Sequence, residues 1–218
     1  MANKYFTQLT QLSYGSVASG DALAIEDISA GETKYISMSE LSQYLSGIGA
    51  GVSSQFWLSG AGGWPSTTAG CAYTATTEGT SNKVNYKTLD FDKDTQEHAE
   101  WSFAMPGDYG GGSITAKFYW TAAGTSTNSV VWGLQGICIA DDEAIDQAWG
   151  TAGTISDANK STSADLNISA TTSAITLAGT PAGGEMVQWR AYRKAADASD
   201  DLALDAKLIG IQITYTRA

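Results

Sequence analysis

The stretch Ser113-Ile114-Thr115-Ala116-Lys117-Phe118-Tyr119-Trp120-Thr121 decides the fold class. Ile114, Ala116, Phe118 and Trp120 fall on one face, and Thr115, Lys117, Tyr119 and Thr121 on the other. That is the period of two of a strand with one buried and one wetter side. The same alternation recurs near the C-terminus, where Ile209, Ile211, Ile213 and Tyr215 oppose Gln212, Thr214 and Thr216. Working outward, strand-length segments lie at 85–91, 99–105, 129–139, 184–195 and 206–216, with weaker ones at 70–76, 153–155, 165–169 and 174–177. So many short strands without long intervening helices predict an all-β fold, an antiparallel β-sandwich or barrel. One short helix is expected in the body, over Asp141–Trp149. There the acidic first turn suits the helix dipole, Ile145, Ala148 and Trp149 make a stripe, and Gly150 ends it.

The chain has 218 residues, enough for one sizeable core plus an arm. Twelve Lys and Arg against 23 Asp and Glu give a net charge of −11, which argues against phosphate tracking and so against a nucleic-acid partner. An anionic membrane would repel such a chain, and no stretch is long and apolar enough for a spanning helix. One histidine and two cysteines leave few ligands for a zinc site and little scope for histidine-dependent catalysis. The expectation is therefore no enzyme, no metal and no cofactor. Met1–Gln8 lacks an apolar core, so no secretory signal is expected there. Cys71 and Cys138 sit among small and apolar residues, where buried free thiols are expected.

Texture divides the chain into an arm (1–45), a Gly/Ser-rich hinge (46–54) and a body (55–218). In the arm, Asp21–Asp27 reads as a strand and Lys34–Met38 as its partner across the turn 29–33. Ser39–Leu45 has helical spacing, with Ser37 or Ser39 as N-cap. A hairpin and two helical turns carry too little apolar mass to fold alone, so the arm is expected to lie on something.

Several constellations resemble sites but lack residues that their chemistry needs. Asp90, Asp92 and Asp94 alternate like the start of a calcium loop, but Thr95 and Trp101 stand where an EF-hand needs Gly and a bidentate Glu. His98 lies between Glu97 and Glu100 without a nucleophile motif. The glycines of Pro106–Gly112 lack a phosphate-loop context, and the acidic run Asp197–Asp205 reads as a solvated connection. Most tryptophans, Trp120 and Trp132 among them, read as core. Trp57 and Trp64, in the Gly-rich entry to the body, are the pair expected to be exposed and able to stack sugars.

The arm segments Leu9-Thr10-Gln11-Leu12, Gly20-Asp21-Ala22-Leu23-Ala24-Ile25-Glu26-Asp27 and Thr33-Lys34-Tyr35-Ile36 with Leu41 resemble an N-terminal anchoring segment of tailed-bacteriophage virion proteins. The body, notably Ala104–Tyr109 with Ala116–Thr121, looks like the jelly-roll modules of phage head decoration (cement) proteins and of head or tail fibres. The resemblance implies a jelly-roll homotrimer on the outer surface of the capsid. Its arm would bind the major capsid protein through Leu9, Leu12, Leu23, Ile25, Ile28 and Ile36. Its acidity suits the outside of a shell better than packaged DNA. The alternative implied is a fibre or receptor-binding protein that attaches to host glycans through Trp57 and Trp64. A polysaccharide-degrading enzyme, which needs two carboxylates facing a groove, is a third and weaker reading.

Overall fold

The computed structural model describes residues 22–27, 32–41, 43, 51–73 and 76–218. Two units divide the chain, residues 1–50 and 51–218.

In the first unit, β1 (Ala22–Asp27) pairs antiparallel with β2 (Glu32–Ser37), with Leu23 opposite Ile36 and Ile25 opposite Lys34. Residues 38–41 then turn helical. Their entry is a capping box: the Glu40 backbone N–H donates to Ser37 Oγ at 3.1 Å, and the Ser37 backbone N–H donates to the Glu40 carboxylate at 2.9 Å. Of the six expected anchoring residues, Leu23 and Ile25 lie in β1 and Ile36, half-buried, in β2, whereas Leu9, Leu12 and Ile28 lie outside the described residues.

The second unit holds β3 (Ser53–Ser59), β4 (Trp64–Pro65), β5 (Ala72–Tyr73), β6 (Thr77–Glu78), β7 (Asn85–Tyr86), β8 (Leu89–Phe91), β9 (His98–Ala104) and β10 (Thr115–Ala122), followed by β11 (Ser129–Ile139), β12 (Gly153–Ala158), β13 (Asn167–Ile168), β14 (Met186–Arg193) and β15 (Ala206–Thr216). The front sheet runs β13-β10-β15-β8-β5, with β3 also paired to β15. The back sheet runs β12-β11-β14-β9-β4. From β8 to β15 the chain crosses between sheets in the order front, back, front, back, back, front, back, front, and these strands pair with one another antiparallel. This is jelly-roll connectivity.

The inner faces meet in one aromatic core. The Trp132 ring of the back sheet stacks on Phe118 of the front sheet with centroids 5.2 Å apart, and Phe91 and Trp120 meet it edge-on. Ile114, Ala116, Phe118 and Trp120 are all buried, as their alternation requires.

Three expectations are corrected. The residues 51–54 assigned to the hinge already pair with the end of the chain, since Gly51 N donates to Arg217 O and Ser53 opens β3 opposite Thr216. Ile209 does not share the inner face with Ile211, Ile213 and Tyr215. The register of β10 on β15 passes from Tyr119 opposite Gly210 to Trp120 opposite Leu208, leaving Ile209 as the extra residue of a β-bulge and turning it outward. Nor do residues 141–149 form the expected helix: the segment is irregular, with Asp142 at φ 68° and Ile145 71% exposed. With only Trp149 of its stripe finding a packing partner, so short a helix lacks the tertiary contact that would stabilise it.

Candidate functional site

Residues directly opposite in antiparallel pairs share a face, so the outer surface of the front sheet can be read row by row. Lys117, Gln212 and Trp57 form one row across β10, β15 and β3. Thr115, Thr214 and Gln55 form the next row on one side, and Tyr119, Gly210 and Ser59 on the other. Trp57 is thus the aromatic centre of a polar face. Its neighbours Phe56 and Leu58 point inward, and Phe56 stacks on Phe103 of the back sheet at 4.5 Å.

The indole is held in place. A Cβ at Gly210 would lie 2.1 Å from its Cζ2, so only glycine lets the ring lie down over β15. The Tyr119 ring meets it edge-on at 4.9 Å and 81°. Trp57 nevertheless remains 44% exposed. Beside it runs a groove of about 400 Å³, lined by Trp57, Tyr86, Asn85, Lys87 and the bulged Ile209. The bulge at Ile209 thus supplies an apolar wall where regular alternation would have buried that side chain. The two-stranded ribbon of β6 and β7 contributes Asn85 and Tyr86. Lys87 lies 6.0 Å over the ring of Tyr73, whose hydroxyl donates to Ala61 O at 3.2 Å. The result is a fixed aromatic plane flanked by amide, hydroxyl and ammonium groups.

Trp64, expected to join Trp57, stands elsewhere. It belongs to β4 at the edge of the back sheet, opposite Glu100, and its 43% exposure is on the other sheet's outer face. The two indoles therefore do not form one site.

The other acidic and nucleophilic candidates are engaged in structural bonding. Asp92 Oδ1 accepts from the backbone N–H groups of Asp94 and Thr95, both at 2.8 Å, which holds its carboxyl below the ordinary range. Asp90 pairs with Lys207 and accepts from Thr88 Oγ1. Among the described residues no group of three or more His, Cys, Asp or Glu side chains is placed to hold a metal ion. His98 Nδ1 lies 3.2 Å from Ala69 O and its ring packs near Tyr192, and burial holds its pKa below the ordinary imidazole value. Cys71 and Cys138 are buried free thiols, and burial pushes them up to about 12 and about 11. The Asp197–Asp205 run is not simply solvated: the Asp200 side chain is fully buried against Arg193.

Sequence reasoning missed Tyr86, Lys87 and Ile209. Tyr119 carried a readable signal, being the one aromatic on the polar face of its strand. Ile209 carried none, because a bulge does not show in local alternation.

Neither a protein-family model nor a curated protein sequence matches the chain. Among solved structures, the chain is similar to the CBM36-1 domain of a multidomain xylanase from the hindgut metagenome of Trinervitermes trinervoides. That likeness has 8% identity and a TM-score of 0.35, and covers 73% of this chain and 96% of that one. It is also similar to a CBM35 domain from Cellvibrio japonicus, at 9% identity and a TM-score of 0.31, over 76% of this chain and 99% of that one. A cycloisomaltooligosaccharide glucanotransferase from Paenibacillus sp. gives 11% identity and a TM-score of 0.37, covering 68% of this chain and only 17% of the glucanotransferase. The body is an antiparallel β-sandwich. Its sheet order establishes that independently of these distant likenesses.

Proposed function

We propose that this protein binds carbohydrate, and that the outer face of the front sheet takes an oligosaccharide with one pyranose ring stacked on Trp57. The observation that carries the reading is an exposed indole pinned flat over Gly210 and braced by Tyr119. Such a ring loses little conformational freedom on binding, and it offers an apolar plane to the C–H face of a sugar. Gln55, Gln212, Lys117 and Asn85 surround it with groups suited to hydroxyls. The role is recognition without catalysis. A glycan array followed by calorimetry on its strongest oligosaccharide tests it. Trp57→Ala should weaken that binding about tenfold or more, a loss of ~1.4 kcal/mol or above, with the melting temperature unchanged. Equal binding by Trp57→Ala would overturn it.

A second reading concerns the other unit. Residues 1–50 form a separate unit with its own hairpin and capping box, which supports an arm that attaches the protein to a larger assembly. In the phage-like form of this reading, the arm binds the major capsid protein, the body trimerises and the protein decorates the outside of the head. Co-sedimentation with empty capsids should then be lost on deleting residues 1–50. Sedimentation equilibrium of the full chain should give three copies.

A further inference from the structure

The outer face of the back sheet carries a second constellation that the Trp57 groove does not use. Trp64, Glu100, Arg190 and Gln135 lie in one row across β4, β9, β14 and β11, and Ser102, Gln188 and Ile137 lie in the adjacent row. The irregular segment 145–149 crosses this surface. It leaves a cavity of about 340 Å³ lined by Ile145, Trp149, Glu100 and Gln188. That size lies at the small end of the ~300–1,000 Å³ typical of small-molecule sites.

Its polar groups are held in place by one another. Ser66 Oγ donates to Glu100 Oε1 at 2.6 Å, Gln188 Nε2 donates to Glu100 Oε2 at 3.0 Å, and Ser102 Oγ donates to Gln188 Oε1 at 2.6 Å. The Arg190 guanidinium stacks 4.2 Å over the Trp149 ring. With the Gln135 amide oxygen turned toward it, Arg190 donates from Nε at 2.8 Å and Nη2 at 2.6 Å. Glu100 retains unused lone pairs and Gln188 a second amide proton, and both residues line the cavity. Gln147 Nε2 is committed to Ala144 O at 2.7 Å, so its carbonyl oxygen is left as an acceptor.

Ile145, 71% exposed, and Trp149 give the cavity an apolar wall opposite this row of donors and acceptors. One wall takes C–H groups and the other takes hydroxyls, the two-sidedness of a pyranose. Glu100 and Asp146 together outnumber the Arg190 charge, so a uronic or sialic acid would be repelled while an uncharged sugar would not.

We propose that this cavity is a separate binding site for a single uncharged pyranose residue, such as the end of a neutral glycan. It stands on residues that the Trp57 reading does not involve. With both sites occupied, the sandwich would hold one saccharide on each of its two sheets.

The test is a titration of the ¹⁵N-labelled full chain with glucose, galactose, mannose and xylose, watched by NMR at the Trp149 indole N–H and the Gln188 side-chain amide. At least one sugar should shift both signals saturably. Gln188→Ala should weaken that sugar's binding about tenfold, and Trp57→Ala should leave it unchanged. The proposal fails if no sugar moves the Trp149 indole, if Gln188→Ala has no effect, or if Trp57→Ala abolishes the shift. Oligosaccharide binding read at the Trp57 indole reports on the front-sheet reading separately, so either can fail alone.

Discussion

The side chains of Arg193 and Asp200 are both fully enclosed, and the pair is bonded on every side. Arg193 Nε and Nη2 donate to the Asp200 carboxylate, while Nη1 and Nη2 also donate to the Leu204 and Leu202 carbonyls. Asp200 Oδ2 accepts from Val131 N at 2.9 Å. The acidic connection is thereby clamped across β11 and β14. Removing one partner leaves an uncompensated buried charge, so Asp200→Ala should cost ~3–5 kcal/mol in urea denaturation. A cost below ~1 kcal/mol would mean the pair is replaceable by water. Charge counting along Asp197–Asp205 could not single out Asp200, because its partner reaches it only through the fold of the loop. The neighbouring isoleucines of β15 make a sharper contrast. Ile211 is buried and Ile209 is bulged outward, so Ile211→Ala should cost ~2–5 kcal/mol and Ile209→Ala well under half of that. Equal costs would mean that there is no bulge.

At the scale of elements, the strap 66–71 is tied to the edge of the back sheet through β9. Ser66 N and Cys71 N both donate to His98 O, His98 N donates to Ala69 O, and the imidazole closes over the same carbonyl. Burial lowers the His98 pKa; the Ala69 contact and Glu100 oppose that shift, and Arg190 adds to it. As the pH falls through the ordinary histidine value, about 6.5, the unfolded chain takes up a proton that the folded chain resists. Stability should therefore decline on the acid side of that value, above the carboxylate range. His98→Gln should remove this decline in melting curves taken between pH 7 and 5. The bulge at Ile209 and the glycine after it act together as an element. Gly210→Ala should lift the Trp57 ring from β15, and its oligosaccharide binding should fall with that of Trp57→Ala even in variants that remain folded. The stripe of residues 141–149 was legible as a pattern but misleading as a helix. The segment opens like a helix, with the Ala140 backbone N–H donating to the Glu143 carboxylate at 3.1 Å, but Asp142 at φ 68° leaves the helical region before a ladder can begin.

For the whole molecule, the described core residues run from Leu58 to Tyr215. A fragment covering 51–218 should accordingly fold and melt within a few degrees of the full chain, as measured by circular dichroism. A molten fragment would mean that the first unit completes the core. The two thiols, held at about 12 and about 11 by burial, should react with a disulfide reagent at pH 8 only after denaturation. Prompt reaction of the native protein would contradict their placement. Spacing along the chain leaves sandwich and barrel open, but it does make the body all-β, turn Trp120 and Trp132 inward, and place a hairpin and a capped helical start before it. Each of these is written in spacing over a few residues, through side-chain alternation or a cap reaching three positions ahead. Tertiary structure alone decided that Trp57 and Trp64 belong to different sheets, that Ile209 leaves the core, and that Glu100, Gln188, Arg190 and Trp149 surround one cavity. Those outcomes depend on strand register and on pairings tens of residues apart, which alternation within a strand leaves undetermined.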